Sequence, residues 1–252
     1  MAVSKESDHG NMKKYDTKQF EQDLEIFSIF LSPKQIEQFL TYYEMLTEWN
    51  QVMNLTAITE YEEVMKKHFV DSISLVKAYD LTGNKKLIDV GTGAGFPGIP
   101  LKIVYPDINV TLLDSLQKRV GFLNAVIEKL GISGIEAVHG RAEDLAREKN
   151  RREQYDLSVS RAVANLTTLS EYCLPFVKVG GCFVSYKSEK AEEEIALAGN
   201  AVSLLGGSIE KQVPLQLPSS DLYRNLIVIK KQTATPGKYP RKAGLPAKEP
   251  LQ

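Results

Sequence analysis

The spacing of apolar residues along the chain changes near position 86. Before that position apolar residues recur every three or four places, which is the period of a helix with one buried face. Ser32, Pro33 and Gln35 predict a helix start with a serine cap, a proline at the first helical position and a capping box. The buried face of this helix is expected to consist of Ile36, Phe39, Leu40, Tyr43, Leu46 and Trp49. A second helix is predicted to begin at Thr59 and to continue to about Val76.

After position 86, short apolar runs alternate with segments of helical period. The predicted strands lie near residues 86–90, 109–114, 135–139, 155–160, 182–187, 208–213 and 225–230. The helices predicted between them lie near residues 97–104, 116–130, 164–178 and 190–205. Strands that alternate with helices predict a largely parallel sheet with helices on both faces. The connection between the last two strands contains Pro214 and Pro218 and no helical period, so these strands are expected to pair antiparallel.

A glycine-rich segment follows the first predicted strand. Gly91, Gly93 and Gly95 alternate in a spacing that suits a sharp turn into a helix, with no side chain between the backbone and a ligand. Gly93 and Gly95 together with Gly98 also match the G-x-G-x-x-G pattern of dinucleotide-binding enzymes, which is a weak signal on its own. The segment therefore predicts a nucleotide-cofactor loop and leaves the identity of the cofactor open.

Two acidic residues bear on the choice of cofactor. Asp114 ends the second predicted strand, where a carboxylate can accept hydrogen bonds from ribose hydroxyls; the alternative is a solvated aspartate at a strand end. Asp89 lies two residues before Gly91, where its carboxylate can orient loop amides or water near an ammonium group but would oppose the pyrophosphate of NAD. Together with the helical residues before the sheet, these features favour S-adenosylmethionine (SAM) over NAD.

Two further segments follow predicted strands at the same edge of the sheet. Ala142 and Glu143 come after the third strand, where their backbone groups could read an adenine ring or could open a capped helix. Arg161 follows the fourth strand and is expected to face the transferred methyl group; the alternative is a salt bridge at the strand end. This position holds neither the Asn/Asp-Pro-Pro-aromatic tetrad of exocyclic amino methyltransferases nor a cysteine that could attack a pyrimidine ring.

The predicted sheet with its antiparallel end resembles the class I SAM-methyltransferase fold, which is Rossmann-like. We therefore expect an α/β protein with a seven-stranded, mostly parallel sheet and an N-terminal helical extension. Four regions are expected: a disordered leader over residues 1–12, a helical segment packed on the core over 13–82, a SAM-binding methyltransferase domain over 83–232, and a basic arm rich in proline and glycine over 233–252.

Charge is distributed unevenly over the 252 residues. The net charge of the chain is −1, yet the segment from Leu222 onward has seven basic residues and a single acid, Glu249. This asymmetry favours a polyanionic partner, and the alternative is a solvated charged tail. No segment has the roughly 18 apolar residues of a membrane helix and no secretory signal opens the sequence, so a cytoplasmic protein is expected. Cys173 and Cys182 are expected in the core, and no metal site is expected because the histidines are scattered.

Several segments together resemble the bacterial RsmG family, also called glucose-inhibited division protein B. These segments are residues 54–58, His68 with Asp71 and Ser72, the loop 89–101, residues 113–116 with Lys118 and Arg119, residues 160–164 and the tail residues 238–244. The resemblance covers the chain from about residue 32 to its end. One departure is Ser188, which stands where a glycine is expected.

This resemblance implies an enzyme that methylates N7 of a guanine in 16S ribosomal RNA, by direct in-line transfer from SAM without a covalent intermediate. The substrate would be the RNA itself or the small ribosomal subunit. The resemblance implies SAM contacts at Gly91, Phe96, Ala142, Glu143 and Arg161, to which the residue pattern adds Asp89, Gly93, Gly95 and Asp114. No catalytic residue is assigned, and Arg161 and His68 are the candidates for positioning. His68 is alternatively a packing histidine, because its helical neighbours are apolar.

Basic side chains near the predicted site and in the tail are expected to bind the RNA. They are Arg119, Lys187, Arg224, Lys238, Arg241 and Lys242. We expect a monomer with no membrane or metal partner. Two alternatives stay open: an NAD(P)-dependent oxidoreductase, which the glycine pattern alone favours, and a non-catalytic RNA-binding protein on a methyltransferase fold.

Overall fold

A computed structural model describes residues 15–161, 163–188 and 191–251, so the predicted leader over residues 1–12 lies outside the described residues. The helices are α1 (Lys18–Glu25), α2 (Pro33–Met53), α3 (Tyr61–Val64), α4 (Asp71–Ile73), α5 (Gly98–Val104), α6 (Gln117–Leu130), α7 (Ala142–Leu145), α8 (Leu166–Cys173), α9 (Glu192–Leu204) and α10 (Leu245–Lys248). A π-helix (Met65–Val70) joins α3 to α4, and 3₁₀ turns follow at Ser74–Lys77 and Leu174–Phe176. The strands are β1 (Lys86–Val90), β2 (Asn109–Asp114), β3 (Ile135–His139), β4 (Tyr155–Arg161), β5 (Val177–Lys187), β6 (Gly207–Gln216) and β7 (Tyr223–Lys231).

All seven strands form one sheet, in the order β3-β2-β1-β4-β5-β7-β6. The first five strands in this order are parallel, and β7 is antiparallel to both of its neighbours. Successive residues of a strand point to opposite faces, so Leu87 packs into an apolar core with α2 whereas Ile88 packs into a second core with α8. The predicted α/β fold class is confirmed, including the antiparallel pair that closes the sheet.

The sequence-based boundaries agree closely with the structure at β1, β2 and β3. The predicted start of α2 is also correct, because the Ser32 hydroxyl accepts a hydrogen bond from the Gln35 amide and the Gln35 side chain accepts one from the Ser32 amide. Strand β5 is longer than expected and begins at Val177. Its first residues include two glycines, which weaken the strand pattern of the sequence.

The sequence-based assignment of the N-terminal region needs two corrections. The helix predicted from Thr59 begins at Tyr61 instead, and the Thr59 carbonyl oxygen accepts a hydrogen bond from the Tyr43 hydroxyl at 3.1 Å. Helix α1 has no counterpart in the sequence-based assignment. It has only eight residues, and Phe20 and Leu24 are its only buried apolar side chains, which are too few to establish a helical period in the sequence.

The N-terminal helices pack over the loop that follows β1. Phe39 of α2 and Phe69 of the π-helix have ring centroids 5.0 Å apart, and Tyr42 lies between Phe69 and Phe96, at 5.3 and 5.4 Å. The Tyr42 hydroxyl donates a hydrogen bond to the carbonyl oxygen of Ala94 within the loop. The helical segment is therefore part of the surroundings of the loop.

The C-terminal tail, expected as a loop or an extended arm, folds back onto the sheet domain. The guanidinium of Arg152 donates hydrogen bonds to the carbonyl oxygens of Thr235, Pro236 and Tyr239, at 2.7, 3.3 and 2.9 Å. The Tyr239 side chain is buried among residues of the second core. The path of the tail is thus set by contacts with the folded domain.

Candidate active site

The loop between β1 and α5 depends on a left-handed backbone. Gly91, Gly93 and Gly95 have φ angles of +72°, +62° and +103°, which residues with a side chain rarely adopt. The amides of Gly91 and Thr92 donate to the carbonyl oxygen of Leu113 at 2.8 and 3.1 Å, which joins the loop to the end of β2. A side chain at Gly93 would meet no other atom within 4 Å. The loop therefore turns sharply and leaves open space above Gly93.

Asp89 lies beneath this loop. The residue is 0% exposed, and its Oδ2 accepts hydrogen bonds from the Gly98 amide at 2.8 Å and the Thr92 hydroxyl at 2.7 Å. Its Oδ1 has no hydrogen-bond partner among the described residues. Burial raises the pKa of Asp89 to about 6, although the two hydrogen bonds oppose the shift. The sequence predicts that this carboxylate orients loop amides or water near a ligand; in the structure it binds the Gly98 amide and the Thr92 hydroxyl, and its role toward a cofactor stays a prediction.

Asp114 stands at the carboxyl end of β2 and faces the open space. One carboxylate oxygen accepts the Gly93 amide at 2.9 Å and the other accepts the Leu116 amide at 2.9 Å. The Nη1 atom of Arg119 lies 3.4 Å from the first of these oxygens. An ionised carboxylate offers about four lone-pair sites, and these three contacts leave one site, on the oxygen that accepts the Leu116 amide, for a hydrogen bond from a ligand.

Aromatic and cationic side chains form the opposite wall of the space. The His68 ring stacks on Phe96 with a centroid distance of 4.5 Å and an interplanar angle of 18°. The guanidinium carbon of Arg161 lies 5.2 Å from the centroid of the same Phe96 ring. These three side chains come from the π-helix, the loop and β4, so the wall is assembled from separate parts of the chain.

The protonation of His68 follows from its neighbours. Arg161 Nη2 lies 3.4 Å from His68 Nδ1, and because a guanidinium can only donate, Nδ1 acts as the acceptor. The proton is then on Nε2, which lies 2.8 Å from the Thr56 hydroxyl. Burial, followed by the positive charge of Arg161, lowers the pKa of His68 to about 3. His68 is therefore neutral near pH 7, and its only acceptor nitrogen already faces a cation.

These groups line a cleft of about 410 Å³ at the carboxyl ends of β1, β2 and β4. The lining residues are Leu55, Thr56, His68, Gly91, Thr92, Gly93, Ala94, Phe96, Asp114, Ser115, Arg119, Arg161 and Val163. Most of the residues predicted for the cofactor site meet here, together with both candidates for positioning. The sheet supplies one side of the cleft and the N-terminal helices supply the other.

Besides Asp89, three residues predicted to contact the cofactor lie outside this lining. A side chain at Gly95 would come within 2.6 Å of the Tyr42 hydroxyl, so this glycine faces α2. Glu143 is 4% exposed, and its carboxylate accepts the Gly244 amide at 2.8 Å, which attaches the tail to α7. Ala142 is buried at the start of the same helix. Their contacts with a cofactor stay predictions.

The six basic residues predicted to bind RNA fall into two groups. Four of them form ion pairs within the protein: Lys187 with Glu194 at 2.7 Å, Arg224 with Asp71 at 2.9 Å, Arg241 with Glu171 at 2.7 Å and Arg119 with Asp114 at 3.4 Å. The other two, Lys238 and Lys242, are exposed on the tail. The charges of the first group are already balanced by carboxylates, so the two tail lysines are better placed to meet a phosphate.

The sequence assigns no role to three residues that shape the cleft. Thr56 holds the imidazole of His68, and Val163 lies so close to Gly91 that a side chain on this glycine would come within 2.5 Å of it. Asp71 is 2% exposed and forms an ion pair with Arg161 at 2.9 Å. The sequence could have indicated Asp71 through its position three residues after His68, because residues with this spacing lie on one side of a helix.

Two kinds of feature are not found in the part of the chain that the structure describes. No group of three or more His, Cys, Asp or Glu side chains there could hold a metal ion. Among the same residues, no helix has the length and apolar character needed to cross a membrane.

Sequence comparisons give a consistent set of relatives. Residues 35–222 match the family model described as GidB, rRNA small subunit methyltransferase G. A relative named ribosomal RNA small subunit methyltransferase G from Lachnoclostridium phytofermentans is 54% identical over 236 residues, which cover 94% of this chain and 98% of the relative. A relative of the same name from Acetivibrio thermocellus is 55% identical over 225 residues, covering 89% and 92% of the two chains.

Solved structures with a similar fold are more distant in sequence. A Haloferax volcanii methyltransferase, solved in complex with the Trm112 methyltransferase activator, gives a TM-score of 0.54 at 14% identity, covering 75% of this chain and 98% of that one. The YcgJ protein from Bacillus subtilis gives 0.50 at 12% identity, with coverage of 66% and 100%. At such identities the similarity concerns the fold alone.

The neutral, buried state of His68 predicts a pH-dependent stability. The unfolded chain binds a proton at this histidine below a pH of about 6.5, whereas the folded chain does so only near its pKa of about 3. The stabilisation is therefore present above about pH 6.5 and is lost as the pH falls. Between about pH 7.5 and about pH 5.5, the free energy of unfolding should decrease by about 1.4 kcal/mol more in the unmodified chain than in His68→Gln, measured by urea denaturation. Equal decreases in both proteins would contradict the assignment.

Proposed function

Because the chain belongs to the rRNA small subunit methyltransferase G (GidB) family and is a methyltransferase, we propose that it transfers a methyl group from SAM to N7 of a guanine in 16S ribosomal RNA. The alignments with relatives named ribosomal RNA small subunit methyltransferase G cover 94% and 89% of this chain, which supports ribosomal RNA as the substrate. The alternatives of an NAD(P)-dependent oxidoreductase and of a non-catalytic RNA-binding protein have no support among these relatives.

The observation that carries the proposal is the arrangement around Gly93. The Asp114 carboxylate and the Arg161 guanidinium line the same cleft, and the space over Gly93 is open. Asp114 can accept a hydrogen bond from a ribose hydroxyl, and Gly91, Gly93 and Phe96 bring backbone and a flat apolar surface against the ligand. This combination of groups fits the nucleoside and amino acid parts of SAM.

Asp89 supports SAM over a dinucleotide for an electrostatic reason. A pyrophosphate is commonly held by the amides at the start of the helix that follows such a loop. Here the Gly98 amide, the first of α5, already donates to the Asp89 carboxylate at 2.8 Å. A negative group occupies the place beneath the helix start, so a second anion there would be repelled. A ligand with a cationic amino acid group avoids this repulsion.

Bound SAM would supply an electrophilic methyl group on a positively charged sulfur, and guanine N7 offers an in-plane lone pair. The new bond forms at N7 as the bond to sulfur breaks, and the sulfur keeps that electron pair. No proton leaves the base, so a general base is not required. The neutral state of His68 and its contact with Arg161 agree with this, because neither side chain is free to take a proton.

The contribution of the protein is then mainly orientation. Alignment of two reactants can supply on the order of 7 to 11 kcal/mol of the barrier reduction. We propose that Arg161, held in place by its contacts with Phe96 and His68, binds the cofactor or the guanine O6 so that N7 stays open to the methyl group. A bidentate contact of Arg161 with O6 and N7 is excluded by this chemistry, because N7 must be free to react.

The direct test is transfer of a labelled methyl group from SAM to unmethylated 16S RNA or to small ribosomal subunits that contain it. We expect label in the RNA and strand cleavage at one guanine after reduction and aniline treatment, the chemistry that detects 7-methylguanine. Label elsewhere, or no label with either substrate, would contradict the proposed reaction.

Removing the Asp114 carboxylate should weaken SAM binding. Asp114→Ala should lose about 1.5 to 3 kcal/mol of binding free energy, or about ten- to a hundredfold in affinity, because a hydrogen bond to a charged group is lost. Isothermal titration calorimetry measures this change. Asp156→Ala is the matched control, since the Asp156 carboxylate also accepts a backbone amide, that of Lys86 at 2.8 Å, at the opposite end of the sheet. Unchanged affinity in folded Asp114→Ala would refute the role.

The exposed lysines of the tail should contribute to RNA affinity through phosphate contacts. In a double logarithmic plot of affinity against salt concentration, each contact with single-stranded RNA contributes about −0.7 to the slope. Lys238→Gln with Lys242→Gln should therefore make the slope less steep by about 1.4. Lys86→Gln with Lys129→Gln removes the same charge from exposed positions at the amino end of β1 and at the end of α6, and serves as the control. The prediction fails if both pairs of changes alter the slope equally.

A further inference from the structure

Asp71 is a buried carboxylate that joins two arginines from different strands. It begins α4, directly after the π-helix, and is 2% exposed. Its Oδ2 lies 2.9 Å from Nη1 of Arg161 at the end of β4, and its Oδ1 lies 2.9 Å from Nε of Arg224 near the start of β7. Each carboxylate oxygen is thus committed to a different guanidinium.

The helical segment around Asp71 holds one side of the Arg161 guanidinium. Nη1 also lies 3.3 Å from the Lys67 carbonyl oxygen, and Nη2 lies 3.4 Å from His68 Nδ1. A guanidinium has five N–H groups, and these contacts use three of them. The other two have no acceptor among the described residues, although Arg161 lines the cleft.

The plane of Arg161 is also constrained. Its guanidinium carbon lies 5.2 Å from the Phe96 ring, and its side chain is only 14% exposed. One side of the guanidinium is held by acceptors and the nearby aromatic ring limits its rotation, so the free N–H groups are left available to a ligand in the cleft that Arg161 lines. Without Asp71, the strongest of these contacts would be lost, since a charge-assisted hydrogen bond is roughly twice as strong as a neutral one.

We propose that Asp71 is a positioning residue of the methyltransferase, which fixes Arg161 so that its two free N–H groups face the ligand. The proposal rests on the function proposed above. Asp71 itself does not line the cleft, so it acts on the reaction through Arg161. The other carboxylate oxygen of Asp71 forms an ion pair with Arg224. This second contact restricts rotation of the carboxylate and so fixes the orientation in which it binds Arg161.

The main alternative is that Asp71 serves only the stability of the fold. Asp23 offers a matched comparison, because it is a 1% exposed carboxylate that forms an ion pair with Lys66 of the same π-helix. Lys66 also contacts the carbonyl oxygen of Pro218, and neither Asp23 nor Lys66 lines the cleft. Asp23→Asn therefore breaks a similar ion pair of the same segment without touching Arg161.

The test is a double-mutant cycle on SAM affinity, with full-length proteins whose folding is confirmed by thermal melting. Asp71→Asn should raise the SAM dissociation constant about tenfold in the unmodified chain. In an Arg161→Met background the same change should have less than about a twofold effect, because the group that Asp71 positions is absent. Asp71→Asn should also lower kcat for methyl transfer while the KM for RNA stays the same, and Asp71→Glu should recover part of the affinity. Asp23→Asn should change the melting temperature but not the affinity.

Equal effects of Asp71→Asn in the two backgrounds, or an equal effect of Asp23→Asn, would overturn the proposal in favour of a structural role. Normal SAM affinity of folded Asp71→Asn would also overturn it. If the unmodified chain does not bind SAM, the proposed function is wrong and this proposal is wrong with it. If the unmodified chain binds SAM and methylates RNA while Asp71→Asn does so equally well, only the role of Asp71 is refuted.

Discussion

The buried carboxylate of Asp89 is the constraint on which the cleft depends. It accepts the first amide of α5 and the Thr92 hydroxyl, and both contacts pull the loop down onto the end of β1. The glycines above it can then follow a left-handed path that leaves their outer surface clear. The Asp89 carboxylate balances the partial positive charge at the start of α5, so no bound anion is required there. Under the proposed function, a glycine pattern shared with dinucleotide-binding enzymes would thus hold SAM.

The second half of the cleft comes from outside the sheet. His68 and Asp71 lie on a helical segment that the aromatic cluster of Phe39, Tyr42 and Phe69 fixes against the loop. The sheet edge holds the groups suited to a nucleoside, whereas this segment controls the arginine at the end of β4. The N-terminal extension therefore forms one wall of the cleft, and this wall would be absent without it.

The sequence predicted the sheet and the grouping of the glycine loop with Asp114 at one edge of it, because both follow from short-range patterns. Alternating glycines and an acid at the end of β2 signal a strand–turn–helix with a ribose contact, and the structure has Gly91, Gly93 and Asp114 in one cleft. The burial of Asp89 was not predictable, since nothing in its local sequence shows that α5 begins directly above it. The ion pairs of Arg224 and Arg241 were equally hidden. Their carboxylate partners are distant in sequence, and charge counts cannot tell a paired arginine from a free one.

The way in which Arg152 holds the tail has a consequence for the variation that this chain can tolerate. Its guanidinium binds carbonyl oxygens of the tail, at Thr235, Pro236 and Tyr239, and every amino acid has the same carbonyl group. The route of this stretch across the surface is therefore largely independent of the side chains that it displays. Over evolutionary time, exposed positions such as Lys238 can be exchanged to suit a changing partner while the backbone keeps its course.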